Sequence, residues 1–192
     1  MADLLTIARD LSESGDEGAL PVDDWHPERC GEMDLVIEAD GTWVHEGAPI
    51  RRAALVRLFS RVLRRDGDEY ALVTPAERIA IAVRDAPFLV VDTDRDGDDL
   101  IARTNVGDAV TVGPNHPIEM RTSPALGLPL PYLRVRGGLD ARFDRAAYYR
   151  LVEDAAREDG ALVVRSGGAR FVLGAAEEES GQTPDRKPGR HA

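Results

Sequence analysis

Several residue types are scarce in this sequence, and each shortage argues against a class of protein. The single cysteine, Cys30, cannot form an internal disulfide bond, so nothing in the fold requires an oxidising compartment. No run of about 18 apolar residues occurs, and the first ten residues lack the basic and apolar regions of a secretory signal. We therefore expect a cytoplasmic protein that has no membrane as its partner.

Positive charge is also in deficit, and aromatic residues make up only 5% of the chain. The 24 arginines and lysines face 35 aspartates and glutamates, which gives a formal net charge of −11. Non-specific binding to nucleic acids depends on clustered basic residues and on aromatic ones that stack with bases, so we expect no nucleic-acid partner. A length of 192 residues with 43% hydrophobic content indicates one folded domain or two small halves.

Recognisable catalytic and cofactor motifs are missing as well. The chain has no Gly-x-Ser-x-Gly motif and no glycine-rich phosphate loop. Residues 92–98 begin like a calcium loop, but the glutamate that such a loop needs at position twelve is replaced by Arg103, and we expect a solvated hairpin tip. His26, Cys30 and His45 lack the paired spacing of a zinc site. The sequence therefore predicts no metal, no cofactor and no catalytic residue.

Short apolar runs closed by glycine, proline or aspartate dominate what remains, and they predict strands in antiparallel pairs. One hairpin is predicted between residues 35–37 and 43–45, because Asp40-Gly41 suits a tight turn. Two amphipathic helices are predicted, one over residues 51–65 with Gly67 as its stop and one over residues 144–158. Further strands are predicted at residues 70–73, 79–83, 88–92, 100–104, 109–112, 132–135, 161–164 and 170–173.

The two predicted helices belong to an internal repeat. Residues 52–59 match residues 145–152 at a constant offset, and the match continues from Arg64, Asp66 and Gly67 to Arg157, Asp159 and Gly160. We interpret the match as a duplication, although two arginine- and alanine-rich helices would also resemble one another by composition alone. A duplication predicts an α+β fold of two strand-rich subdomains, each a curved antiparallel sheet packed with one helix.

The domain boundaries follow from the repeat and from composition. Residues 1–22 are predicted to form a short helix or a disordered segment, and residues 175–192 to form a disordered tail. Residues 23–86 and 87–174 are then the N-terminal and C-terminal subdomains.

Polar residues at the ends of these elements are candidates for a functional site, because ligand sites favour the junction between domains. The expected contacts of a small polar ligand or a peptide are Arg52, Glu77, Asp85, Asn105 and Arg136, with arginine able to clamp an anion. An alternative is a hydrolase or lyase that uses Asp34, Glu77 or Asp85 as acid and base. A third interpretation is a homo-oligomeric scaffold that pairs through strand edges, and a fourth is that these are surface or capping charges only.

Taken together, several runs resemble a known family. They are Trp25–Pro27, Cys30–Asp34, Asp40–Trp43, Glu46–Ile50, Leu58–Ser60, Tyr70–Glu77, Asp85–Phe88, Thr104–Asp108 and Pro131–Leu139. As a set they are similar to the bacterial domain-of-unknown-function family numbered twelve eighty-five. The resemblance implies two α+β subdomains of repeated motifs, the second pleckstrin-homology-like. It also implies a ligand or partner site at their interface and a role in sensing or signal transduction, with no established enzymatic activity.

Overall fold

The computed structural model describes residues 20–176, which form two strand-rich domains with few helices. A short 3-10 helix, Val22–Asp24, precedes the strands, and the two α-helices are α1 (Ala53–Ser60) and α2 (Arg145–Glu153). The strands are β1 (Arg29–Ile37), β2 (Trp43–His45), β3 (Ala48–Pro49), β4 (Leu63–Asp66), β5 (Glu69–Val73), β6 (Glu77–Val83), β7 (Phe88–Asp96), β8 (Asp99–Thr104), β9 (Ala109–Thr111), β10 (Ile118–Thr122), β11 (Pro129–Arg136), β12 (Leu139–Phe143), β13 (Ala156–Glu158), β14 (Ala161–Ser166) and β15 (Ala169–Ala175).

The first domain is one six-stranded sheet in the order β3-β2-β1-β6-β5-β4. The predicted hairpin is confirmed: β1 and β2 pair antiparallel, and Gly41 in the turn between them has a φ of 81°. The expectation of a wholly antiparallel sheet is wrong at one position, because β1 and β6 run parallel. A parallel neighbour requires a long crossover, and here the crossover contains α1.

The second domain is built from two sheets rather than the single one expected. Six strands follow the order β10-β11-β12-β7-β8-β9, again with one parallel pair, β12 and β7, and strands β13, β14 and β15 form a separate sheet. The buried Ser166 joins the two sheets, because its hydroxyl donates to the Val112 carbonyl at 2.7 Å and accepts from the Leu100 amide at 2.8 Å. The six-stranded sheets of the two domains therefore share one topology, as a duplication predicts, and the second domain adds a three-stranded sheet.

Both helices end earlier than the sequence predicts. The residues after α1 and α2 form β4 and β13. Gly67, expected to stop the first helix, instead lies in a hairpin turn with positive φ, as does its counterpart Gly160. Leu63, expected inside the first helix, pairs with Leu72 across the β4–β5 hairpin and is buried. The same difference occurs twice because the repeated unit is a helix followed by three antiparallel strands.

The core extends across both domains. Trp43 and Phe59 of the first domain stack with ring centroids 6.4 Å apart, and they belong to the same buried cluster as Phe88 and Leu133 of the second. Removing these side chains from water favours the packed arrangement of the domains as well as each domain alone. The two halves therefore share one hydrophobic core.

Two of the sequence-based predictions concern the ends of the chain. Of the predicted segment 1–22, residues 1–19 lie outside the described residues, as do residues 177–192 of the predicted tail. Between residues 20 and 176, no helix is long and apolar enough to cross a bilayer.

Candidate functional site

A narrow cleft of about 170 Å³ lies where the two domains meet. Arg65 and Tyr70, which face one another across the β4–β5 hairpin, belong to the first domain. The second domain contributes residues from β10, β11 and β12. We call this site the tyrosine–arginine cleft and define it by Arg65, Tyr70, Asp85, Arg121, Tyr132 and Asp140.

Asp85 lies between β6 and β7, and its carboxylate is held from three directions. One oxygen accepts a hydrogen bond of 2.6 Å from the Tyr132 hydroxyl, and the other accepts one of 2.8 Å from the Ser123 hydroxyl. The Nε of Arg142 is 2.9 Å from that second oxygen. With only 1% of its side chain exposed, this carboxylate needs such partners, because an unpaired buried charge is strongly unfavourable.

Asp140, on β12, is the second carboxylate of the cleft. It accepts hydrogen bonds from Arg134 Nε at 2.7 Å and from Arg121 Nη2 at 2.9 Å. The guanidinium of Arg65 is farther away, with 4.0 Å between Nη1 and the carboxylate oxygen. Asp140 therefore connects arginines of both domains.

Two arginines of the cleft lie over tyrosine rings. The guanidinium carbon of Arg121 is 4.3 Å from the ring centroid of Tyr132, and that of Arg65 is 5.6 Å from the ring centroid of Tyr70. This contact orients the planar group and adds a cation–π attraction. Both guanidiniums remain partly open to solvent, since the side chains of Arg121 and Arg65 are 40% and 30% exposed.

Arginines outnumber the buried carboxylates of the cleft. Arg142 pairs with Asp85, and Arg134 and Arg121 both pair with Asp140. Arg65 lies 4.0 Å from Asp140 and 3.5 Å from the exposed Asp68, and the charge of Glu119 acts on Arg134. Arg65 and Arg121 are therefore the partly exposed cations that a ligand entering the cleft meets.

The hydroxyl groups of the two tyrosines stay protonated at neutral pH, and that of Tyr132 donates to Asp85. Burial, followed by the hydrogen bond to Asp85, raises the pKa of Tyr132 to about 12. Burial also raises the pKa of Tyr70 above its usual value of 10. Neither hydroxyl is therefore ionised near neutral pH, which argues against either of them as a general base.

The three carboxylates of the acid–base alternative are not brought together. Asp34 is exposed on β1, whereas Glu77 begins β6 and aligns with Arg29. Arg29 precedes Asp34 by five residues, so Glu77 and Asp34 are separated by about 16 Å along the strand direction. Of the three, Asp85 alone lines the tyrosine–arginine cleft, where the other carboxylate is Asp140.

Two of the predicted ligand contacts lie away from the cleft. Arg52 is exposed at the N-terminal end of α1. Glu77 closes a turn, in which its amide donates to the Thr74 hydroxyl at 3.1 Å, and its own side chain is partly exposed. These two positions fit the alternative of capping and surface charges.

Asn105 and Arg136 lie between the domains but outside the tyrosine–arginine cleft. The Asn105 side chain accepts a hydrogen bond of 2.9 Å from the Leu89 amide, which fixes the loop between β8 and β9. Arg136 pairs with Asp108, and its Nη2 donates to the Ser60 carbonyl at 2.9 Å. A second interdomain cleft of about 410 Å³ lies beside Arg136, with a largely apolar lining.

Of the residues that define the cleft, sequence reasoning named only Asp85 as a contact and missed Arg65, Tyr70, Arg121, Tyr132 and Asp140. One signal was available for part of this set, because Tyr132 and Arg134 alternate with Leu133 and Val135 along β11. Such alternation indicates a strand whose second face is polar. No sequence pattern near β4 or β10 indicates that these two strands lie beside β11 in the cleft.

Within residues 20–176, no group of three histidine, cysteine, aspartate or glutamate side chains is arranged to hold a metal ion. Residues 92–98 form the end of the β7–β8 hairpin, with Gly97 at a φ of 60°, which confirms the predicted hairpin tip. Cys30 is exposed on β1.

Two family models together match most of the chain. A model described as "Domain of unknown function (DUF1285), N-terminal domain" matches residues 20–86, and one described as "Protein of unknown function (DUF1285), C-terminal domain" matches residues 87–173. The chain belongs to the DUF1285 family. Its two domains correspond to the two models, and this is the family that the sequence resembles.

Solved structures of DUF1285 proteins agree with this assignment. A DUF1285 family protein from Silicibacter pomeroyi DSS-3 is 42% identical, with a TM-score of 0.83, and the match covers 91% of this chain and 96% of the other. One from Shewanella baltica OS155 is 30% identical, with a TM-score of 0.52, over 63% of this chain and 91% of the other. No curated protein matches this chain at a significant level.

Proposed function

We propose that this DUF1285 protein is a binding module that holds an anionic group in the tyrosine–arginine cleft. The group belongs to a small polar ligand or to a peptide segment of a partner protein. The observation that carries the proposal is the placing of two partly exposed arginines, Arg65 and Arg121, one from each domain, in a cleft whose two carboxylates are buried and also contacted by Arg142 and Arg134. A carboxylate or phosphate oxygen is the natural partner of such guanidiniums.

Arg121 is the residue best placed to bind the anion. Stacking on Tyr132 orients its guanidinium, and Nη2 is already bonded to Asp140. Its Nη1 makes no hydrogen bond to another described residue and lies on a side chain that solvent reaches. Because the guanidinium is already oriented, binding a ligand costs less side-chain entropy than it would at a freely rotating arginine.

The size of the cleft limits the ligand. Pockets for drug-sized molecules have volumes of about 300–1,000 Å³, whereas this cleft measures about 170 Å³. A carboxylate or a phosphate group fits within such a volume, whereas a dinucleotide cofactor does not. The proposal therefore concerns an anionic group or a small anion.

A sensing role is part of the proposal. An anion bound by Arg65 and Arg121 contacts both domains, so its binding energy depends on how the domains are arranged. Such a ligand favours the arrangement in which both arginines reach it. A cytoplasmic location and a pleckstrin-homology-like second domain remain predictions from the sequence.

The acid–base alternative receives less support. Asp85 and Asp140 share the cleft, but the oxygens of Asp85 already contact Arg142 and two hydroxyl groups, and those of Asp140 contact Arg134 and Arg121. A hydrolase of this kind needs two carboxyl groups that face the substrate. The side chains of the cleft are therefore better arranged to bind an anion than to transfer a proton.

A thermal-shift screen tests the proposal. The probes are acetate, glutamate, citrate and inorganic phosphate, at constant ionic strength and pH. A ligand at about 100 times its Kd adds about 2.7 kcal/mol of stability, which raises Tm by about 5–10 °C at this chain length. We expect a saturable shift that Arg121→Ala removes and Arg103→Ala, an exposed change on β8, leaves in place. No shift with any probe contradicts the small-ligand form of the proposal, and a shift that Arg121→Ala leaves unchanged contradicts the cleft as the binding site.

A further inference from the structure

An exposed apolar loop borders the tyrosine–arginine cleft and extends it. We propose that this loop, residues 124–129 (Pro-Ala-Leu-Gly-Leu-Pro), docks a protein segment that carries an acidic side chain next to apolar ones. We call it the leucine loop. The inference rests on the proposed function, because the acidic side chain is the anionic group that the cleft receives, and it names the class of partner.

The loop is exposed to an unusual degree for its composition. Leu126 is 51% exposed and Leu128 is 58% exposed, and the adjoining Pro124, Ala125 and Pro129 are exposed as well. Among the described residues, only Tyr149 and Val172 are also large hydrophobic side chains with comparable exposure, and both lie on other elements. Two exposed leucines on one short loop, flanked by exposed proline and alanine, form a concentration of apolar side chains of the kind that a partner molecule covers.

Hydrogen bonds to the buried Ser123 fix the backbone of the leucine loop. Ser123 is fully buried, and its backbone amide donates to the Leu128 carbonyl at 2.8 Å while its carbonyl accepts from the Gly127 amide at 2.8 Å. The Ser123 hydroxyl accepts from the Leu126 amide at 3.1 Å and donates to Asp85 at 2.8 Å. The leucines are therefore presented on a closed turn, so docking would order little additional backbone.

The same contacts connect the loop to the cleft. Asp85 bonds both Ser123 at the base of the loop and Tyr132, on whose ring Arg121 stacks. Pro124, the first residue of the loop, also lines the cleft. A single peptide segment can thus place an acidic side chain on Arg121 and apolar side chains on Leu126 and Leu128.

The charge and composition favour a protein over a lipid surface. The chain carries a net charge of −11, which opposes its approach to an anionic membrane. The loop also lacks the tryptophan, tyrosine and lysine residues that anchor proteins at a bilayer surface. The arginines of the cleft attract a single acidic side chain, but they do not offset the repulsion between the whole chain and an anionic membrane. A protein segment with one acidic side chain beside apolar ones fits both the arginines and the exposed leucines.

Selection of peptides from a random octapeptide phage library on the immobilised full chain tests the inference. We expect enriched peptides in which aspartate or glutamate adjoins leucine, isoleucine or phenylalanine. For the strongest peptide, the double change Leu126→Ser with Leu128→Ser should raise Kd by at least about tenfold, as should replacing its acidic residue with the amide. Val172→Ser, at an exposed apolar residue of β15, is the matched control and should leave Kd unchanged.

Four results overturn the inference. They are the enrichment of no peptide, peptide binding that the leucine changes do not alter, leucine-dependent sedimentation with phosphatidylserine vesicles, and a dimer in light scattering that the leucine changes dissociate. The last two would assign the loop to a membrane or to a second copy of the chain. Small-anion binding that survives without any leucine-dependent peptide rejects this inference alone. Leucine-dependent peptides without any small-anion binding instead reject the proposed small-ligand function.

Discussion

The guanidinium of Arg142 lies 2.9 Å from the carboxylate of Asp85, and both side chains are almost fully buried where the two domains meet. Arg142 also donates from Nη2 to the Ala39 carbonyl at 2.6 Å, which connects β12 to the β1–β2 turn of the first domain. This one arginine therefore bonds the first domain at two separate places. The ion pair holds the domains in the arrangement that forms the tyrosine–arginine cleft.

Removing the Asp85 carboxylate should destabilise the whole fold. In Asp85→Ala, Arg142 keeps its charge in a site where its side chain is only 9% exposed, and breaking a buried pair in this way costs about 3–5 kcal/mol. The matched control is Asp92→Ala, whose ion pair with Arg150 is exposed and should contribute less than about 1 kcal/mol. Urea unfolding of both variants measures the difference. Equal losses in the two variants would contradict the account of Asp85.

Gly41→Ala tests the contact between the β1–β2 turn and the second domain. A Cβ at this position would lie 2.9 Å from Asn105 Nδ2 and 3.0 Å from Leu89 Cδ1, and Gly41 also has a positive φ. Gly97→Ala is the matched control, because Gly97 has a positive φ but open space around it. We expect a loss of about 1–2 kcal/mol for Gly97→Ala from backbone conformation alone and a larger loss for Gly41→Ala. A loss at Gly41 no larger than at Gly97 would show that the domains do not meet here as described.

The raised pKa of Tyr132 predicts a loss of stability at alkaline pH. Burial and the hydrogen bond to Asp85 raise this pKa from 10 to about 12 in the folded chain, so the folded state binds more protons than the unfolded state between these values. The stabilisation is fully present below pH 10 and is lost as the pH rises towards 12. We expect urea midpoints to fall over this range, and Tyr132→Phe to reduce the fall. A stability that is as dependent on pH in Tyr132→Phe as in the wild type would contradict the assignment.

The strands were largely predictable from the sequence because their signals are local. Alternating or continuous apolar runs bounded by glycine, proline and aspartate place β5, β6, β8 and β14 within two residues of their positions. The helix ends were not predictable in this way. Arg64 and Arg65 suit a helix as well as a strand, and pairing with β5, at Ala71 and Tyr70, decides between them.

The cleft was predictable only in part, because most of its residues meet through contacts that are distant in the sequence. Asp85 stands out in the sequence as a charged residue before Ala86-Pro87 at a strand break. Its partners Ser123, Tyr132 and Arg142 are 38, 47 and 57 residues further along the chain. No local sequence pattern predicts contacts between residues that are so far apart in the chain. The parallel pairings of β1 with β6 and of β7 with β12 bring these segments together. Topology, rather than motif, therefore builds the site.

The most direct test of the proposed function follows the arginines themselves. In a 1H–15N NMR titration of the full chain with inorganic phosphate and, separately, with acetate, we expect saturable shifts of the Nε–Hε signals of Arg65 and Arg121. At least one of the two anions should produce them. The shifts should disappear in Arg121→Ala and persist in Arg103→Ala. Saturable shifts confined to other arginines, or no saturable shift with either anion, would contradict an anion site between the two domains.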